Sequence, residues 1–526
     1  MSTIIQVLIS ILGPFSPLLF LILVPLAAIA FILVGSNART TALIASATNL
    51  VFVLALFAVY KPGDAPYQFV STVPVISSMG IAFTLGADGL SLIMLLLAAL
   101  VTVAAVAVAR APEKNAHWFY ASLLFISAGV IGAFASIDLF FFYMFHELAL
   151  IPTFLLIGIW GSGDRQTAAW KATIYLALGS FVLLLGLLGL YLIQPEGLRT
   201  FDLRAIIGMA EAGLLPDGNW VYLLLLIGFG ILVSLFPFHT WAPQAYASAP
   251  APAAMLHAGV LKKFGLYGLI RIAGTVFPNE VTNGFIQVPV PFYHVVSISL
   301  SNLLLVLLVG NILYVGYVTI SQRKLDWMLG YSSVMHMGYI FLGFAALNVL
   351  SITGASLMLF AHGLSIAALF ALSGELRERT GTLDFSELGG FAKPMPAFGL
   401  LFGFAAFAAI GLPGFVGFVG ELLVFFGSFI GGEPLMGAVN GKEIFQLNNF
   451  QIATICAVWG VVISAIYMLR AYRRIFFGPL NDRWTGLPEI SGLARVAIVT
   501  LIVVMLVTGF FPWLLIRFIE SASIWS

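Results

Sequence analysis

The sequence predicts an all-α polytopic membrane protein, and three observations predict it: composition, the recurrence of apolar runs, and their periodicity. Of 526 residues 61% are hydrophobic and 9% charged, against roughly 25% charged in a soluble domain, so no water-soluble surface can be built. Stretches near the ~20 apolar residues that cross a bilayer recur from Pro17 to Phe518, divided by short polar breaks. Runs such as 223–233 are apolar all round. A membrane barrel would instead alternate in polarity at every second residue, which excludes that fold.

Apolar runs bounded by charge, Pro or Gly give about fourteen spans, near 15–35, 41–60, 86–109, 117–135, 137–160, 168–193, 219–238, 250–274, 294–318, 327–347, 350–376, 397–430, 451–475 and 493–517. Residues 1–34 lack a basic n-region and read as a membrane anchor, not a removed leader. The twelfth run is too long for one straight crossing and holds Gly411-Leu412-Pro413-Gly414 near its middle. Proline removes a backbone donor and clashes with the preceding turn, so helix 12 is predicted to be broken at Pro413. Helix 7 carries a similar interruption, Pro237 followed by Pro243. Two interruptions five spans apart suggest two inverted five-helix repeats, whose broken helices meet near the midplane. The predicted division is 1–115 (helices 1–3), 116–275 (helices 4–8), 290–476 (helices 9–13) and 477–526 (helix 14).

Charge sets the expected topology. With the N-terminus outside, fifteen Lys and Arg residues fall inside and six outside, Arg271 among the six, while Lys262 and Lys263 fall within a span. The positive-inside rule then places both termini on the periplasmic side of a bacterial inner membrane. The net charge of +1 gives no basis for nucleic-acid binding. Cys456 alone cannot form an internal disulfide or an all-cysteine iron–sulfur cluster. Helix-break glycines such as 411–420 follow no strand and are not a dinucleotide site.

An ionisable group at the bilayer centre costs about 2.5–3.5 kcal/mol even on the lenient scale, so each one needs a partner, water or a function. Glu147 lies mid-span with Tyr143 one turn before it; helix 8 carries His257, Lys262 and Lys263, and the second half of helix 12 carries Glu421. His336 follows Ser332 and Ser333 at helical spacing, and His362 precedes Ser365 by one turn. Histidine titrates near neutrality and suits proton transfer, though any single membrane histidine can equally bond a neighbouring helix. Neighbours on a helix diverge by about 100°, so Lys262 and Lys263 are not expected to face one site.

These residues carry a resemblance. Phe145-His146-Glu147 with Leu150-Ile151-Pro152, Phe236-Pro237-Phe238-His239-Thr240-Trp241-Ala242-Pro243, residues 258–268 around Lys262-Lys263, Tyr331-Ser332-Ser333 with His336, His362-Gly363-Leu364, and Leu412-Pro413-Gly414 with Gly420-Glu421 resemble the antiporter-like membrane subunits of NADH:quinone oxidoreductase (complex I), in particular the subunit M type. The resemblance spans nearly the whole chain. It implies a proton relay of Glu147, Lys263, His336, His362 and Glu421 that couples quinone reduction elsewhere to proton transport, each group's proton affinity depending on its neighbour's charge. It also implies neighbouring antiporter-like subunits as partners in the bilayer. Flavin, iron–sulfur clusters and quinone would sit on those partners, with no cofactor, metal or redox chemistry in this chain.

The chain departs from the family pattern. Leu232 occupies the position of a helix 7 lysine that usually pairs with the helix 5 glutamate, and Ser234 replaces a usual proline. Lys324 and Asp326 exchange the signs usual in the family, Trp327 stands where a basic residue is usual, and His146, His257 and Lys262 are extra ionisable groups. His146, His257, Lys262 or Ser234 could therefore compensate. Two other readings stand beside the relay: a subunit of a multi-subunit Na+/H+ antiporter, and a structural subunit with a silent channel.

Overall fold

Helix starts at Ser16, whose hydroxyl accepts from the Leu18 amide and opens α1 (Pro17–Leu33). The computed structural model describes residues 16–290, 294–431, 435–439, 442–480 and 482–522. The first part of the anchor, 1–15, lies outside the described residues. Helices then follow in each predicted segment: α2 (Ala38–Val59), α3 (Gly89–Val108), α4 (Ala116–Ala135), α5 (Leu139–Trp160) and α6 (Arg165–Leu192). Asn37, Asp88, Asp138 and Asp164 cap α2, α3, α5 and α6 by accepting first-turn amides, so short polar breaks end one span and start the next. Nine helices among the described residues are long and apolar enough to cross a membrane.

Helix 7 is broken as predicted. Segment α7a (Asn219–Val233) ends at Ser234, which takes φ +67, and α7b (Trp241–Ser248) resumes after the loop carrying Pro237. Pro243 lies in the first turn of α7b, where its missing amide leaves no helical bond unmade. After a short loop, α8 runs from Ala251 to Val276 and contains two wide π-turns, His257–Leu261 and Leu269–Ala273. Helix α9 (Leu300–Ser321) holds a third, Gly310–Val315. Sequence periodicity gave no sign of these turns, which add one residue without breaking the helix.

The remaining long apolar helices are α10 (Leu325–Ala346), α11 (Val349–Thr380), the broken pair α12a (Pro396–Ile410) and α12b (Val416–Ile430), α13 (Asn449–Phe476) and α14 (Gly492–Phe510). Gly411, at φ +80, closes α12a in the left-handed conformation that glycine adopts without strain. Helix α11 forms the axis, with an 18-residue apolar stretch entirely buried, whereas only a third of the corresponding stretch of α14 is covered. Around that axis pack α3, α8, α10, α12a and α12b. Small residues permit the closest crossings: the Cα of Gly354 on α11 faces the Gly420 carbonyl and the Val424 amide of α12b.

Among the described residues three two-stranded antiparallel hairpins, not anticipated from the sequence, lie between helices: β1 (Gln68–Ile76) with β2 (Ile81–Ala87), β3 (Phe285–Val290) with β4 (His294–Ser299), and β5 (Leu435–Val439) with β6 (Lys442–Gln446). Polar contacts gather at opposite ends of the bundle. At one end Arg377 pairs with Asp326 at 2.5 Å, and Arg110 reaches Glu375 and Glu378. The backbones of Lys324 and Asp384 pair as an isolated antiparallel β-bridge in the same region, and the Ser386 amide and hydroxyl hold the Asp384 carboxyl below the usual carboxylate value. At position 326 the acidic residue is thus paired, with Arg377. At the other end lie the β1–β2 hairpin and the Asp202–Arg204 pair.

Candidate functional site

Four interior helices bring Lys263, His362, His336 and Glu421 together. The π-turn His257–Leu261 precedes Lys263, which is completely buried, and Lys263 Nζ donates to the Ala258 carbonyl at 2.7 Å. The same Nζ lies 2.7 Å from His362 Nδ1 on α11. Next to His362, with ring centroids 5.5 Å apart, stands His336 of α10. Its Nδ1 is 2.8 Å from the Ser332 carbonyl and its Nε2 2.9 Å from the Ala409 carbonyl. Ala409 is in the last turn of α12a, just before the break.

Glu421 reaches the same break from the other side. It is buried on α12b, and a Cβ built on Gly411 would lie 2.2 Å from its Oε2, so the carboxylate folds back over the Gly411 turn. Lysine, two imidazoles and a carboxylate therefore form a sequence from α8 through α11 and α10 to the α12 break. Ser332 also bonds the Tyr467 hydroxyl of α13 at 2.8 Å.

Lys262 and Lys263 diverge as expected but both stay inside the protein. Lys262 Nζ approaches the Ser333 carbonyl at 3.3 Å and hydroxyl at 3.4 Å, and lies 5.7 Å from the centre of the Tyr246 ring. His257 Nδ1 is 3.2 Å from the Tyr246 hydroxyl. Neither lysine is in an ion pair among the described residues.

Glu147 stands apart. Its side chain is 37% exposed on the α5–α6 face, beside a cavity of about 210 Å³, while Lys263, His336, His362 and Glu421 are buried. Ser180 of α6 donates to Glu147 Oε1 at 2.5 Å, and His146 Nδ1 lies 3.5 Å from the same oxygen. The imidazole of His146 stacks on Phe264 with centroids 4.0 Å apart, so an aromatic ring separates this group from the Lys263 chain. Leu232, where the family carries lysine, packs against Gly179, next to Ser180. Ser234 does not join: its hydroxyl turns back to the Val233 carbonyl.

Sequence reasoning missed Asn311, buried in the α9 π-turn. It accepts from the Phe236 amide at 2.5 Å and donates to the Ser234 carbonyl at 3.3 Å and the Val334 carbonyl at 3.0 Å, tying the α7 break to α10. A lone Asn within the apolar run 303–315 was the available signal. Arg271, counted above among outer loop charges, is instead buried and paired with Asp88.

The family model described as NADH:quinone oxidoreductase/Mrp antiporter, TM, matches residues 136–441. F(420)H(2) dehydrogenase subunit M of Methanosarcina mazei is 31% identical over 464 residues, 86% of this chain and 86% of that protein. NAD(P)H-quinone oxidoreductase chain 4 of Gloeobacter violaceus is 34% identical over 433 residues, 82% of this chain and 76% of the relative. A chain in the structure of respiratory complex I from Thermus thermophilus with bound NADH aligns at a TM-score of 0.82 and 26% identity, over 97% of this chain and 100% of that one. Fold, ordered motifs and overall likeness agree, and the chain belongs to the NADH:quinone oxidoreductase/Mrp antiporter membrane family.

Proposed function

We propose that this chain is the subunit M-type proton-translocating component of a quinone-reducing respiratory complex, with fourteen crossings, two inverted five-helix repeats and both termini on the outer side of a bacterial inner membrane. The observation that carries the reading is the contact of Lys263 with His362, completely enclosed and continued by His336 to the α12 break under Glu421. A stable structural amine in hydrocarbon would be held by a carboxylate. This one faces an imidazole, a partner able both to take and to give a proton.

Uptake begins in a cavity of about 520 Å³ lined by Arg110, Glu113, Asp326, Glu375 and Tyr246, on the side the basic residues assign to the cytoplasm. Tyr246 forms its inner wall and contacts His257 and Lys262, so a proton passes from the vestibule to α8 there. Lys263, His362, His336 and Glu421 carry it onward. Glu147, with Ser180 and His146 in place of the family lysine, faces outward from the bundle and senses charge on a neighbouring subunit. Electron transfer belongs to partner subunits that hold flavin, iron–sulfur clusters and quinone; the translocase activity is that of the whole complex.

Reconstituting the intact complex in vesicles tests this reading. Glu147→Gln, Lys263→Ala and Glu421→Gln are each expected to lower donor-driven proton uptake while electron transfer continues. Full pumping by all three would overturn the relay, and donor-independent Na+/H+ exchange would favour the antiporter alternative.

A further inference from the structure

The same interior stripe of α8 that carries Lys263 continues to Tyr267 and Arg271, spaced at i, i+4 and i+8 and all buried. Arg271 lies about 12 Å from Lys263 along the helix. It forms an ion pair with Asp88, the cap of α3, with both side chains no more than 3% exposed. Around the pair close the Ser91 hydroxyl at 3.3 Å from Arg271 Nη1, the Tyr267 hydroxyl at 2.8 Å from Ser91 Oγ, and the Tyr67 ring 4.9 Å from the guanidinium. Tyr267 also donates to the Phe134 carbonyl of α4 at 3.1 Å. Nothing in the relay uses this cluster.

Its position gives it a task. Besides His362, the direction along α8 toward its outer end is the other course for a proton on Lys263, and the same buried stripe there carries Tyr267 and then Arg271. We propose that the Asp88–Arg271 pair is an electrostatic seal closing the outer end of α8, so that protons on Lys263 leave only through His362. Guanidinium stays charged under all physiological conditions and cannot relay a proton. A fixed cation in a narrow path excludes protons and other cations, the device that proton-excluding pores use. Asp88 anchors it: the same carboxylate accepts the Ser91 amide at 2.7 Å, so the guanidinium is fixed to the start of α3.

The inference rests on the relay reading, and the test separates the two. In vesicles containing the intact complex, passive proton leak is measured under an imposed pH gradient without electron donor, and pumping is measured with it. Arg271→Met keeps the anion and removes the cation, and is expected to raise passive leak severalfold. Asp88→Asn keeps the cation and the helix cap, and is expected to leave leak at or below the wild-type rate. Adding Lys263→Ala to Arg271→Met is expected to return the leak to baseline. If Arg271→Met does not assemble, the uncharged pair Asp88→Asn/Arg271→Gln replaces it, with a higher leak than Asp88→Asn alone expected. Equal leak in the cation-lacking variant and Asp88→Asn would mean a structural clamp and overturn the seal. Unchanged pumping in Lys263→Ala alone would remove the relay reading, whereas a Lys263-dependent pump with no leak in the Arg271 variants would remove only the seal.

Discussion

Ser180 and His146 hold the Glu147 carboxylate where the family's lysine is absent, one by a 2.5 Å bond and the other at 3.5 Å. A hydrogen bond to a charged group contributes about 1.5–3 kcal/mol, so Ser180→Ala is expected to weaken control of that carboxylate by roughly tenfold or more. Proton uptake per electron should fall in Ser180→Ala and further in Ser180→Ala/His146→Phe. Leu232→Lys, placed beside Gly179, should restore pumping in the double variant, because it returns a cation to the α6 face next to Ser180. No gain from Leu232→Lys would mean that the lysine's usual position does not reach Glu147 here. Single charged residues in apolar runs were legible in the sequence because lipid makes them conspicuous; that is how Glu147, Lys263 and Glu421 were found. Their partners were not. The direction of Glu147 depends on packing against Ser180 of the next helix, and the burial of Arg271 on Asp88 on a contact between segments more than 100 residues apart.

Breaks in helices were the most legible elements, since Pro and Gly act locally on the backbone. Both predicted interruptions formed, at Ser234 and at Gly411. Strands and π-turns were hidden: β1 contains Pro74 and irregular register, which blur its alternation, and a wide turn leaves residue burial helical in pattern. Gly411→Ala tests the value of the α12 break. Left-handed backbone costs a non-glycine residue about 1–2 kcal/mol, and the new methyl would collide with the Glu421 carboxylate. Lower thermal stability of the purified complex and reduced proton uptake are expected together. Gly381→Ala is the control: its φ is +70 with open space around it, so a similar strain should leave pumping intact. Equal pumping in the two would separate Glu421 from the break.

Across the whole molecule, the buried chain runs sideways through α8, α11, α10 and α12, while ion pairs cluster at the two ends. Lateral faces are apolar, as a bilayer or a neighbouring membrane subunit requires. Glu147 breaks that rule at the α5–α6 groove, where a half-exposed carboxylate would be costly against lipid. A photocrosslinking residue placed at Leu150, in the same groove, is therefore expected to capture a protein neighbour in the native complex. Labelling of lipid alone would show that this face has no subunit against it.

The wide turn at His257–Leu261 acts as a phase offset in a screw. It carries one residue more than an α-turn, so everything after it is rotated by about 100° from the direction an uninterrupted helix would give. Composition, hydropathy and length would scarcely register the loss of that single residue. The amine, however, would be aimed at a neighbour other than His362 by a shift of angle alone.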